Sequence, residues 1–239
     1  MDHQTFQRRE YKYLLTADQY LKLSRYFKSR GLKPDKFSGA SQDKSYYLAS
    51  LYFDTADYQA YWDKQYGLKI RTKYRLRAYQ STAIASTPVF WEIKRKNGEF
   101  FHKDRFPVTW AKTKHWLRGQ LSLSQLPSAA VNFYQAVIAK QLKPSLLVSY
   151  RREPWLDPHY PDLRLTFDYQ IQASPATDLF YPYRLADVYP NSYILEIKFS
   201  GPVPGYIAEM SRFANLYRAP LSKYCRGLEA CGIVSEENL

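Results

Sequence analysis

Seven consecutive residues, Arg71-Thr72-Lys73-Tyr74-Arg75-Leu76-Arg77, constrain this chain more than any other stretch. Read as a strand, their period of two places Arg71, Lys73, Arg75 and Arg77 on one face, with Thr72, Tyr74 and Leu76 opposite. Same-face neighbours lie about 6.6 Å apart. At an effective dielectric of about 20, each adjacent pair repels by roughly 2.5 kcal/mol before screening. A fold keeps such a row where water solvates it or where an anion lies along it.

The pattern recurs. Gln7 to Leu15 alternates Arg8, Glu10, Lys12 and Leu14 with Arg9, Tyr11, Tyr13 and Leu15. Val89 to Lys96 sets Glu92, Lys94 and Lys96 on one face, and Asn97-Gly98 then predicts a hairpin whose return strand carries Lys103 and Arg105. Leu146 to Arg152 reads as a strand, followed after a Pro/Asp loop by Leu163 to Ile171, where Arg164, Thr166 and Asp168 share a face. Tyr193 to Phe199 aligns Ile194, Glu196 and Lys198. Tyr46 to Asp54 is a further strand, and a polar loop is expected over 37–44.

Helical spacing falls between these runs. Thr16 opens a helix in a capping box with Gln19, and Gly31 and Pro34 end it. Thr55 caps a short aromatic helix with Tyr58, Tyr61 and Trp62 on its buried side, and Gly67 turns the chain into the basic strand. Two helices are predicted over about 111–119 and 128–141. Ile207, Met210, Ala214 and Tyr217 stripe a last helix that Pro220 stops, and the acidic tail after Ile233 is expected to fray.

With 239 residues, 23 Tyr, 13 Phe and 5 Trp, a packed globular protein is expected rather than disorder, as a single domain spanning 1–239. The net charge of +13 points to an anionic partner. No apolar run reaches the roughly 18 residues of a spanning helix, and no signal peptide is apparent. Cys225 and Cys231 suit a reducing compartment, hence a cytoplasmic location, and the four scattered histidines lack zinc-ligand spacing.

Strands with one apolar and one charged face, alongside amphipathic helices, are satisfied together by a strongly curved or closed sheet. Helices pack outside and charges lie inside. Desolvated charges are costly unless paired. Glu10, Glu92, Asp168 and Glu196 interleave with the cations and reduce that cost, and a polyanion with a divalent cation would cancel most of the rest.

In order and spacing, the motifs cover almost the whole chain. They are Arg8-x-Glu10-x-Lys12-Tyr13, Leu51-Tyr52-Phe53-Asp54-Thr55, Gly67-x-x-x-Arg71-x-Lys73-x-Arg75-x-Arg77-x-Tyr79 and Glu92-Ile93-Lys94-x-Lys96. Lys103-Asp104-Arg105, Tyr150-Arg151-Arg152, Arg164-x-Thr166-x-Asp168, Glu196-Ile197-Lys198 and Ser222-Lys223-Tyr224 follow. Together they resemble the VTC domain, the polyphosphate polymerase domain of the triphosphate tunnel metalloenzyme (CYTH-like) superfamily. The resemblance implies an α+β fold: a closed, eight-stranded antiparallel tunnel with helices packed outside, binding a triphosphate or polyphosphate along a basic lumen. It implies that Lys12, Arg75, Arg77, Lys94, Arg152, Arg164 and Lys223 act directly on the phosphates. Arg8, Arg71, Lys73, Lys96, Lys103, Arg105, Lys198 and Ser222 complete the binding set. Glu196, helped by Glu10, would hold a divalent metal, Mn²⁺ or Mg²⁺. Arg151 and Arg152 have opposite parity, and the family pattern favours Arg152 as the inward one. Arg8 stands where the hydrolase version Glu-x-Glu-x-Lys has its first carboxylate, which favours the polymerase branch.

The implied activity is transfer of the γ-phosphoryl of ATP to a growing inorganic polyphosphate chain. Two alternatives use the same cavity: a triphosphatase on inorganic tripolyphosphate or nucleoside triphosphates, and a non-catalytic polyphosphate-binding or sensing module. Phosphoryl transfer needs positioning and charge neutralisation more than covalent help. No Ser/His/Asp or Cys/His constellation and no Walker-type glycine loop is evident, Gly201 to Gly205 lacking both the lysine and the spacing. The expected partners are ATP and inorganic polyphosphate, with no nucleic acid; a membrane-protein partner and the oligomeric state stay open. If the basic row is simply self-repelling, Arg75→Ala or Arg77→Ala should abolish activity and leave the fold intact.

Overall fold

The computed structural model describes residues 8–35, 38, 44–120, 123–181 and 183–235. Gln7, most of the expected 37–44 loop and the last four residues of the acidic tail lie outside the described residues, as does the side chain of Arg8.

Alternation becomes strand and helical spacing becomes helix in the order β1 (Arg8–Leu15), α1 (Ala17–Ser29), β2 (Lys33–Pro34), β3 (Tyr46–Asp54), α2 (Gln59–Gln65), β4 (Ile70–Ala78), β5 (Pro88–Asn97) and β6 (Phe100–Thr109). There follow α3 (Trp110–Leu117), α4 (Ser128–Ala139), β7 (Lys143–Asp157), β8 (Tyr160–Pro175), β9 (Ala186–Asp187), β10 (Tyr193–Ser200), α5 (Gly205–Phe213) and α6 (Lys223–Ala230). The capping box forms: the Gln19 amide donates to Thr16 Oγ1 at 3.2 Å, and the Thr16 amide donates to Gln19 Oε1 at 3.0 Å. Gly98 takes a left-handed φ of 60° in the β5–β6 turn, where a side chain would be strained. The supposed Pro/Asp loop after Arg152 is strand instead: Pro154 pairs with Thr166 and Trp155 with Leu165. Helix α5 stops at Phe213, Asn215 turns with φ 51°, and Tyr217 lies beyond it and exposed.

All strand pairs are antiparallel, in the order β2-β7-β3-β4-β5-β6-β1-β10-β8-β9, with β7 also paired to β8. The sheet therefore curls back on itself. Two features correct the expected closed, eight-stranded tunnel. Two-residue strands β2 and β9 bring the count to ten. The wall is also not fully closed: among the described residues β1 meets β6 through one pair, Arg8↔Phe101, because β6 begins at Phe100 while β1 runs on to Leu15.

Two apolar clusters lie outside this wall. One packs α3 and α4 on β3–β6, with Trp91, Trp116 and Phe133 in contact; the other packs α1 and α5 on β1, β8 and β10 around Phe27, Trp155 and Phe167. Each fully buried Leu or Phe contributes about 1.5–3 kcal/mol. A third cluster corrects the expectation that all helices pack outside: α2 supplies Tyr61, and the unanticipated α6 supplies Tyr224, Cys225 and Leu228, against Tyr52, Leu146, Val148 and Ala173. That is the face which also carries Tyr150 and Arg152, so α6 fills one part of the interior and leaves the other part hollow. No helix among the described residues is long and apolar enough to cross a membrane.

Candidate functional site

The hollow part is a cavity of about 470 Å³. Period-two placement brings Glu10 and Lys12 from β1, Arg71, Lys73, Arg75 and Arg77 from β4, and Lys94 and Lys96 from β5 to its wall. Arg152 enters from β7, Glu196 and Lys198 from β10, and Ser222 and Lys223 from the start of α6. Ser222 caps α6 by accepting from the Cys225 amide at 3.3 Å. The segment before it is tied to β1: the Ala219 amide donates to the Lys12 carbonyl at 2.9 Å, and Lys12 Nζ donates to the Leu221 carbonyl at 3.1 Å.

Thirteen of the expected site residues thus line one cavity. Three do not. Arg164 sits on the inward parity opposite Lys198, but its side chain is 51% exposed and turns to Asp35 at 3.7 Å. Lys103 and Arg105 stand behind Glu92 rather than on the cavity lining, at 3.7 and 3.5 Å from its Oε1, and Arg105 stacks on Phe90 at 3.6 Å. Of the Arg151/Arg152 pair, Arg152 faces the cavity and Arg151 donates to Ser45 Oγ. Lys64 and Phe101 line the cavity from outside the sequence motifs, and Tyr52, Tyr150 and Tyr224 line it from within motifs that gave them no site role. Parity with Arg75 and Arg152 could have found Tyr150 and, through the β3–β4 register, Tyr52.

Eleven cations line the cavity against two carboxylates; behind them the wall acids Glu92 and Asp168 are matched in number by Lys103 and Arg105, so the excess is nine positive charges. The acids form three knots. Fully buried Glu92 accepts from Arg75 Nη2 at 2.6 Å and Nε at 2.8 Å, with Arg77 Nε at 4.0 Å. Burial pushes its carboxyl up, yet Arg75, Arg77 and Lys103 hold it well below the usual carboxylate range. Asp168 takes Arg152 bidentately, Nε and Nη2 both at 2.6 Å, and Lys223 at 2.6 Å. Glu10 and Glu196 form the third knot with Lys12, Lys94, Lys198, Lys223 and Arg152. Burial raises both carboxyls, but these cations hold each ionised and far below the ordinary range.

The cations respond in turn. Burial pushes the Lys94 ammonium down to about 8, with Glu10 opposing, and Lys103 down to about 8, with Glu92 opposing. Burial would raise the Tyr52 hydroxyl, but Arg75 and Arg77 pull it to about 8, and Arg75 Nη1 donates to it at 3.1 Å.

Among the described residues, no group of three or more His, Cys, Asp or Glu side chains could hold a metal by itself. Glu10 and Glu196 fit a different kind of centre. They are ionised, inward-facing and bridged by shared lysines, as suits a hard cation that takes one or two carboxylates and completes its shell with phosphate oxygens and water.

A candidate adenylate cyclase from Bacillus halodurans shares 15% identity, with 90% of this chain and 95% of that one covered, at TM-score 0.52. HpAC1 from Hippeastrum shares 14%, with 94% and 96% covered, at TM-score 0.52. The PH1819 protein from Pyrococcus horikoshii OT3 shares 10%, with 93% and 98% covered, at TM-score 0.50. These likenesses are of fold. No curated protein matches the sequence. The VTC domain model spans residues 7–231, nearly the full length over which the cavity is assembled, and the chain belongs to the VTC domain family.

Proposed function

We propose that residues 1–239 act as a single polyphosphate polymerase domain, moving the γ-phosphoryl of ATP onto the end of an inorganic polyphosphate chain. The observation that carries this reading is the cavity's excess of nine positive charges, most of them held on strands in fixed register. Arg75, Arg77 and Arg152 offer guanidinium groups suited to equatorial phosphate oxygens, while Lys12, Lys94 and Lys223 act as point charges. Both donor and acceptor are phosphates already ionised at neutral pH, so alignment and charge neutralisation are what the wall has to provide. Glu10 and Glu196 would hold a divalent cation, which would supply Lewis-acid neutralisation of the charge that develops on the leaving group.

A second reading, hydrolysis of a triphosphate, is favoured by one comparison: the structure of HpAC1 is described as revealing a dominant triphosphatase activity. Incubation with ATP and Mn²⁺, followed by a polyphosphate gel with ADP and free phosphate quantified, separates the two. A ladder with stoichiometric ADP is expected. Free phosphate without a ladder would assign the hydrolase, and silence on every channel would leave a binding module.

A further inference from the structure

Each of the four oxygens of Glu10 and Glu196 already faces a cation. Glu10 Oε1 lies 3.5 Å from Lys198 Nζ, and Oε2 lies 3.1 Å from Lys94 Nζ and 3.8 Å from Lys12 Nζ. Glu196 Oε1 meets Lys223 at 2.8 Å and Lys12 at 3.8 Å; Oε2 meets Arg152 and Lys198, both at 3.0 Å. These contacts are not equivalent. Arg152 and Lys223 are also fixed on Asp168 at 2.6 Å. Lys12 and Lys198 have no such second acid, each touches both carboxylates, and their side chains keep 20% and 30% of their surface exposed.

We infer that Lys12 and Lys198 form a latch across the two carboxylates, so that a divalent cation binds only after a phosphate chain has drawn these lysines away. A dication approaching the empty knot meets several fixed positive charges at short range and must displace ammonium groups already compensating the carboxylates. A phosphate chain supplies the opposite charge and gives both lysines a better acceptor array, releasing carboxylate oxygens while adding oxygens of its own. Chain and cation then bind with positive coupling, and by linkage each tightens the other by the same factor. The inference rests on the reading of the cavity as a phosphate site, and it assigns that site an order: chain first, cation second.

The test reads Mn²⁺ binding, without turnover, from the electron paramagnetic resonance signal of free Mn²⁺ in buffer lacking any polyanion. Wild-type protein should take up little. Lys198→Met should bind one Mn²⁺ at least tenfold more tightly, and Lys198→Arg, which keeps the charge, should behave as wild type. Lys198→Gln serves where the Met variant fails to fold. Adding tripolyphosphate to wild type should remove more free Mn²⁺ than tripolyphosphate and protein do separately. One tightly held Mn²⁺ on wild type without phosphate, with Lys198→Met no tighter, would overturn the latch. Tripolyphosphate binding is measured alongside by calorimetry in chelator. If the chain does not bind while Lys198→Met still gains Mn²⁺, the lysines do block the carboxylates, but the chain-first order is overturned together with the polyphosphate reading.

Discussion

Glu92 has no exposed surface, and its partnership with Arg75 and Arg77 reverses the picture of a self-repelling basic row. Removing Arg75 takes away the two shortest contacts of a buried carboxylate. Arg75→Ala is therefore expected to destabilise the protein, by about 3 kcal/mol, as for other buried pairs broken on one side. Urea unfolding should show this loss, and Glu92→Gln in the same chain should recover most of the stability while activity stays absent. An Arg75→Ala protein as stable as wild type would return the basic row to simple repulsion. Tyr52 gives the pH dependence. Between pH 7 and 9 its hydroxyl, pulled to about 8, gains negative charge, and Lys103, pushed to about 8, loses positive charge. Tripolyphosphate affinity in chelator should fall across this window, and the fall should be smaller in Tyr52→Phe. The same shift acts on stability with the opposite sense. Folded Tyr52 sheds its proton near 8 and the unfolded tyrosine near 10, so its contribution grows with pH between those values and is lost as pH drops through 8.

At the scale of elements, α6 decides how the cavity is finished. Gly227 lets it lie against the inner sheet face: a Cβ there would stand 2.8 Å from Leu146 Cδ2 and 3.1 Å from Ala173 Cβ. Gly227→Ala should cost about 1–3 kcal/mol through overpacking and lift Ser222 and Lys223 from their positions. A lowered melting temperature with weakened tripolyphosphate binding is the expected pair of results; lowered stability with unchanged binding would separate α6 from the site. This helix was not legible from sequence. Its eight residues are too few for a periodic signal, and a short plug filled by Tyr224, Cys225 and Leu228 resembles a surface helix until its surroundings are known. The inward side chains of β4 were legible because period two is independent of context, and the same rule placed Lys94, Lys96, Glu196 and Lys198. It failed for Arg164, because parity gives the face and says nothing about depth: toward the start of β8 the Arg164 side chain is half exposed and pairs with Asp35.

For the whole molecule, the curled antiparallel sheet followed from strands with one charged face joined to helices with one apolar face. The incomplete meeting of β1 and β6 did not, since pairing between elements far apart in the chain depends on where each strand stops. Nor did the role of the acids. Glu10, Glu92, Asp168 and Glu196 stood out in the sequence as neutralising charges, while their division into three knots required distances. Those knots have a thermodynamic consequence. Binding of a polyanion ordinarily gains from the release of small ions, and affinity then falls with salt by about 0.7 in log–log slope per neutralised charge for a flexible strand. Four acids held in the wall behave as counterions that cannot leave. Thirteen independent cations, Lys103 and Arg105 included, would give a slope of about −9; an excess of nine gives about −6. Long-chain polyphosphate titrated in chelator at increasing KCl should follow the shallower line, and Glu196→Gln should steepen it by roughly one charge. A protein so basic would on this account remain a tight polyphosphate binder at salt concentrations that strip other polyanions from cationic surfaces, because part of its ion atmosphere is covalent.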